Sequence, residues 1–107
     1  MTGINAVVLE GQLATPPELT TLDGGTTLAR LLITVRQEEP RRRVDVIPVT
    51  HWSPTEEEQA TYRATPAGAR AVASGSLQRR FWDSPDGRRS RIEVVADAIT
   101  IGSEEEL

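Results

Sequence analysis

The stretch Ser84-Pro85-Asp86-Gly87, set between two strand-like runs, constrains this chain more than any other. Proline presets φ near the value a turn needs and glycine supplies a positive φ at no steric cost, so residues 75–97 read as one long β-hairpin. Five arginines (Arg79, Arg80, Arg88, Arg89, Arg91) and two adjacent aromatics, Phe81 and Trp82, crowd this single element. Guanidinium groups beside ring faces are what holding an unpaired nucleic-acid strand demands, because cations track phosphates and bases stack on aromatics. A solvated arginine hairpin with both rings tucked against the core reads the same way at this level.

The 107 residues suffice for one domain, expected over residues 1–102, with 103–107 as a short acidic tail. No apolar run approaches the ~20 residues of a membrane span, and no charged-then-apolar leader opens the chain, so the expected location is the cytoplasm. The net charge of −4 argues against nucleic-acid binding through bulk charge, which shifts attention to how the charge is distributed. All 12 basic residues are arginine, and eight of them are Arg41, Arg42, Arg43 and the five of the hairpin. Six of the 16 acids sit apart, at Glu56, Glu57, Glu58, Glu104, Glu105 and Glu106, so a segregated basic surface is compatible with an acidic protein.

Taken in order, residues 5–13 alternate, with Val7, Leu9 and Leu13 on one face and Glu10 and Gln12 on the other. Gly11 interrupts the inward row and predicts a tight bend or a close backbone approach. Thr15-Pro16-Pro17-Glu18 breaks pairing, and Asp23-Gly24-Gly25 is a second turn leading into a strand over 26–37. That strand places Ala29, Leu31, Ile33 and Val35 on its core face. Leu28 and Leu32 fall on the other face, where they meet either a second layer or another subunit. A third strand over 44–52 contains Pro48, which predicts an edge position or a bulge there.

Ser53 is the expected N-cap of a helix running from Pro54 to Ala64, with acids in its first turn and a weak apolar stripe. Small residues over 69–77 form a fourth strand feeding the hairpin, and 90–101 form the fifth. The fold class expected is therefore all-β: an OB-fold, a five-stranded Greek-key barrel with one short helix between strands three and four.

The lone histidine, His51, shares a strand row with Ile47 and Val49 and is expected as a satisfied core or interface residue. With no cysteine there is no disulfide framework or thiolate site, and neither a metal nor another cofactor is expected. Helix capping accounts for Glu56, Glu57 and Glu58 better than acid–base work does, and no nucleophile or phosphate loop accompanies them, so no enzyme is expected.

Several segments together resemble the bacterial single-stranded DNA-binding protein family over most of the chain. They are Gly3-Ile4-Asn5 with Val8-Leu9, Gly11 and Leu13; Pro17-Glu18-Leu19; Gly24-Gly25 with Leu28-Ala29-Arg30; Val44-Asp45-Val46-Ile47 closing on Trp52; and Gly75, Leu77, Trp82, Asp86-Gly87 and Glu93-Val94-Val95-Ala96-Asp97. The resemblance implies sequence-independent binding of single-stranded DNA in replication, recombination or repair. It implies Trp52 and Trp82 as stacking platforms, and Arg41, Arg42, Arg43, Arg79, Arg80, Arg88, Arg89 and Arg91 are the candidate phosphate contacts. It also implies a homo-oligomer, a tetramer built from dimers or a dimer, with residues 5–13 pairing across a two-fold axis, and replication or repair proteins as further partners. Val46 stands where the family often has an aromatic, Glu39 with Pro40 where some members place a tryptophan, and Ser90 where a tyrosine is common; with two platforms lost, weaker binding is expected. The resemblance implies a long linker and an acidic tip after the domain; Ser103-Glu104-Glu105-Glu106-Leu107 is expected as a solvated end, with a vestige of that tip as the alternative. The competing reading is a protein-interaction module, a primosome-type accessory with weak DNA binding. The two part on whether Trp52, Trp82 and the arginines line one open groove.

Overall fold

A computed structural model of the chain describes residues 2–102, so the acidic tail expected over 103–107 lies outside the described residues. The elements run β1 (Val7–Leu13), β2 (Glu18–Thr21), β3 (Thr27–Gln37), β4 (Arg43–Trp52), α1 (Glu56–Ala64), β5 (Arg70–Ser84) and β6 (Gly87–Gly102). The sheet order is β1-β5-β6-β4-β3-β2, and β1 also pairs with β3, which closes β1, β3, β4, β5 and β6 into a barrel. All ladders are antiparallel except β4 with β6, which pair in parallel over Val49↔Val94 and Thr50↔Val95. The five-stranded barrel with one helix between its third and fourth strands is the OB-fold expected from the sequence.

Alternation along the strands builds the core. Ala29, Leu31 and Ile33 of β3, Val49 of β4 and Ala71 of β5 are fully buried. Leu13, Ala73, Val94 and Ala96 complete the interior of the barrel. Small residues are required where strands cross closely. A Cβ on Gly11 would overlap the carbonyl oxygen of Thr34, because β1 turns from β5 onto β3 at this point. A Cβ on Gly75 would likewise overlap the carbonyl oxygen of Val95. The β5–β6 register shifts at this position: Ser74 faces Ala98 while Gly75 faces Ala96, leaving Asp97 as an extra residue. Such a bulge bends its strand, and beyond it the hairpin leaves the barrel wall.

Four features depart from or sharpen the sequence reading. A sixth strand, β2, pairs Glu18–Thr21 with the start of β3, so Asp23-Gly24-Gly25 closes a small hairpin rather than merely opening a strand. β1 begins at Val7 instead of Asn5, and Asn5 extends the ladder with its side chain: Nδ2 donates to Leu77 O at 2.6 Å and Oδ1 accepts from Leu77 N at 2.9 Å. Leu28 is buried without a second subunit, with Thr20 and Trp52 as its cross-strand neighbours. Pro48 pairs with Leu32 in an unbroken β3–β4 register, while the ladder to β6 begins only at Val49. Pro48 therefore sits on a stretch paired on one side alone, the edge alternative, with no bulge.

The helix is capped two residues later than expected, by Thr55 and not Ser53. Thr55 and Glu58 form a reciprocal capping box, with Glu58 N donating to Thr55 Oγ1 at 3.1 Å and Thr55 N donating to Glu58 Oε1 at 2.8 Å. Two orphan donors are satisfied together, whereas Ser53, although Glu56 stands at the matching spacing, has its backbone N–H committed to Thr27 O at 2.8 Å. The bond from Thr55 holds the Glu58 carboxyl below its ordinary range, helped by the nearby His51. The helix docks through one buried residue, Tyr62, and none among the described residues is long and apolar enough to cross a membrane.

Tyr62 and His51 share a buried hydrogen bond of 2.7 Å between the phenol oxygen and Nδ1, so His51 is the satisfied core histidine its strand row predicted. Burial, with a contribution from the Glu58 charge, pushes the Tyr62 phenol up to about 12. An unfolded tyrosine titrates near 10, so the folded state favours the neutral phenol and its stabilisation is complete below pH ~10. It is lost as pH rises from there towards about 12, a decline on the order of 2 kcal/mol. Thermal melts at pH 8 and pH 11 are expected to show about half of this drop for the wild type, since pH 11 lies midway through the window. Tyr62→Phe should be less stable at pH 8, because His51 Nδ1 loses its partner, and should lack the alkaline component.

Candidate nucleic-acid interface

The outer face of β3 and β4 carries Leu28, Arg30, Val46, Thr50 and Trp52, and the β5–β6 hairpin stands over part of it. Residues opposite one another on the two hairpin strands share a face, and successive residues point to opposite faces. The register pairs Arg80 with Arg91, Trp82 with Arg89, Arg79 with Ile92, Phe81 with Ser90 and Asp83 with Arg88. One face of the hairpin therefore holds Arg80, Trp82, Arg89 and Arg91. The other holds Arg79, Phe81 and Arg88.

The first of these faces meets the barrel. The Arg80 guanidinium lies over the half-buried Trp52 ring, 6.0 Å from its centroid. Across the hairpin, Arg91 lies 5.7 Å over the ring of Trp82, which is 41% exposed. Trp52, Arg80, Arg91 and Trp82 thus form one continuous line of ring, cation, cation and ring. Opposed like charges destabilise a strand pair, and neither arginine makes an ion pair among the described residues. Each is instead placed against a π face, an interaction worth about 0.5–1 kcal/mol at an exposed site. A phosphate between them would relieve the repulsion.

Two clefts adjoin this line. One lies where β4 and β6 diverge, lined by Arg30, Ile47, Pro48, Thr50, Leu77, Arg91, Ile92, Glu93 and Val94. The second is lined by Glu18, Thr20, Leu22, Leu28, Arg30 and Arg80. Arg30 belongs to both and was not singled out from the sequence. The available signal was its place on the outward row of β3, directly opposite Thr50 and two residues from the partner of Trp52.

The remaining candidates are placed elsewhere or already paired. Arg41, Arg42 and Arg43 occupy the β3–β4 connection and the start of β4, whose other end is Trp52; the strand is 10 residues long, so the two ends lie roughly 30 Å apart along it. Arg42 pairs with Glu38 at 3.4 Å and Arg43 with Asp45 at 2.8 Å, whereas Arg41 makes no ion pair among the described residues. Arg89 shares the Trp82 face but reaches back to Asp86 at 3.4 Å. These exposed pairs are weak and open to exchange for a phosphate. On the opposite face Arg79 donates to Ser90 Oγ at 3.1 Å and Arg88 lies 4.9 Å over the Phe81 ring. Val46, which stands where the family that the chain resembles often has an aromatic, is 51% exposed on the outward row of β4.

An OB-fold barrel with paired rings and cations on one face defines a class of oligonucleotide-binding modules. Comparison with known proteins narrows the class. The model of the single-strand binding protein family matches residues 4–101, and the chain belongs to that family. It is 31% identical to the single-stranded DNA-binding protein of Halalkalibacterium halodurans over 101 residues, 90% of this chain and 59% of that protein. It is also 31% identical to single-stranded DNA-binding protein 2 of Staphylococcus aureus, covering 90% of this chain and 71% of that one. The chain thus spans little more than half of the first relative's length. Among solved structures, the Plasmodium falciparum SSB in complex with ssDNA superposes with a TM-score of 0.76 at 17% identity, covering 96% of this chain and 98% of that one, which supports the fold.

Proposed function

We propose that the protein binds single-stranded DNA without sequence preference, in replication, recombination or repair. The observation that carries the proposal is the line Trp52, Arg80, Arg91, Trp82, in which two ring faces flank two uncompensated cations. Every base has a π face, so stacking on Trp52 and Trp82 is indifferent to sequence, while arginine fixes the backbone and releases counterions. Arg30 supplies a further cation between the two clefts. Arg42, Arg43 and Arg89 reach phosphates farther along the strand by giving up exposed carboxylates, Arg41 reaches one beside them, and Arg79 and Arg88 act on the far side of the hairpin. With Val46 in place of a ring, affinity is lower than a fully equipped groove would give.

We also propose a homo-oligomer, a dimer or tetramer, formed through β1. Its ladder to β5 covers one side, and only Gln12 and Leu13 pair on the other, so a stretch of strand edge with the 72% exposed Val8 is left for a second copy. The functional reading is tested by titrating labelled oligo-dT over a range of salt concentrations. Three neutralised phosphates give a slope of log K against log salt of about −2, at about −0.7 per phosphate for a single strand. A slope near zero, or equal affinity for duplex and single strand, would favour the protein-interaction module.

A further inference from the structure

The second face of the hairpin repeats the chemistry of the first. Phe81 is 52% exposed, points away from Trp82, and has the Arg88 guanidinium 4.9 Å over its ring. Every exposed ring of the hairpin is therefore roofed by an arginine, and the same holds for Trp52 beneath it. Arg79 stands beside Phe81 on this face, and Asp83 is the only acid among the hairpin residues 77–83 and 88–94 that shares it. From Phe81 an apolar line runs back to the barrel through Ile92, 55% exposed, and Leu77, 45% exposed.

That line ends in the cleft between β4 and β6. Leu77 and Ile92 from this face line it together with Arg91 from the other face and with Arg30 and Thr50 of the barrel. The cleft exists because the parallel ladder stops at Val49↔Val94 and the two strands part beyond it. It is thus the place where the two faces of the hairpin communicate.

We propose that the Phe81 face is a second contact for the same single strand: the strand leaves the Trp52–Trp82 face through the β4–β6 cleft and stacks a base between Phe81 and Arg88, with Arg79 on the adjoining phosphate. The proposal rests on the single-strand reading above and extends it from one face of the hairpin to both. Charge complementarity selects nucleic acid as the occupant over an apolar protein surface. Arg79 and Arg88 interleave with the apolar side chains, and a base entering between guanidinium and ring gains stacking on both of its faces.

The test is a length series of oligo-dT, from about 4 to about 30 nucleotides, titrated against the wild type, Phe81→Ala, Arg88→Gln and Trp82→Ala, with sedimentation of each protein alongside. Oligonucleotides long enough for both faces should lose roughly 10-fold in affinity on Phe81→Ala and less on Arg88→Gln, while the shortest ones are unaffected. Trp82→Ala should weaken binding at every length. Wild-type affinity that stops rising with length at the shortest bound oligonucleotide, or no effect of Phe81→Ala at any length, would overturn the second contact and leave the first intact. A fall in oligomer mass on Phe81→Ala would assign the face to a subunit interface and also overturn it. Failure of the wild type to bind any oligonucleotide would instead remove the single-strand reading itself.

Discussion

Replacing Trp82 with alanine is expected to lower the affinity for oligo-dT by roughly 5- to 150-fold, the equivalent of about 1–3 kcal/mol for one stacked base. Trp82 is a clean position for this measurement. It is 41% exposed on a hairpin outside the core, so its removal opens no cavity in the barrel. Trp82→Phe keeps a ring for Arg91 and for a base, and should retain most of the affinity. Trp52→Ala should cost a similar amount in binding but also some stability, since Leu28 is buried beside it. Fluorescence anisotropy of labelled oligo-dT, with a thermal melt of each variant, separates the two contributions. A Trp82→Ala protein that binds like the wild type would exclude the hairpin ring as a platform.

A large effect on stability is expected from Gly11→Ala. The new methyl group would overlap the carbonyl oxygen of Thr34, a backbone atom that cannot swing aside as a side-chain end does. β1 must move away from β3, where it closes the barrel through Gln12↔Thr34 and Leu13↔Ile33. Overpacking of this kind costs about 3 kcal/mol, and for a domain of this size each kcal/mol lowers Tm by about 4–8 °C, so a fall of roughly 10–25 °C is expected. Gly24→Ala is the control, because nothing lies within 4 Å of a Cβ there. It should leave Tm within a few degrees of the wild type in the same calorimetric or circular dichroism scan.

Much of the barrel was legible because its determinants are local. Ser84-Pro85-Asp86-Gly87 produces the turn between β5 and β6, and the alternation of Ala29, Leu31 and Ile33 marks the buried face of β3. Gly11 signalled a close approach, although only the closed barrel identifies Thr34 as what approaches it. β2 escaped detection because its four residues, between Pro17 and the Asp23 turn, are too few to display a period. The helix cap was misplaced because Ser53 and Thr55 are both suitable residue types, and the choice falls to the bond returned by Glu58.

The site was legible in its residue types and much less in its arrangement. Trp82 and Arg91 are neighbours through hairpin register, which follows from the turn once its position is known. Arg80 over Trp52 depends on the path of the hairpin across the barrel, set by the bulge at Asp97 and the parting of β4 from β6. No local pattern encodes that path. For the same reason Arg30 was passed over: alternation shows that it faces outward, but only the closed fold brings it beside both Arg80 and Arg91.

The measurement that bears most directly on the central claim is the intrinsic tryptophan fluorescence of the wild type titrated with unlabelled oligo-dT at low salt, then back-titrated with sodium chloride. Both tryptophans lie on the proposed path of the strand, so stacking should quench the emission to saturation, and salt should restore it as arginine–phosphate contacts dissociate. Emission that stays constant while oligo-dT is added, at concentrations where a bound strand would saturate the groove, would contradict the account.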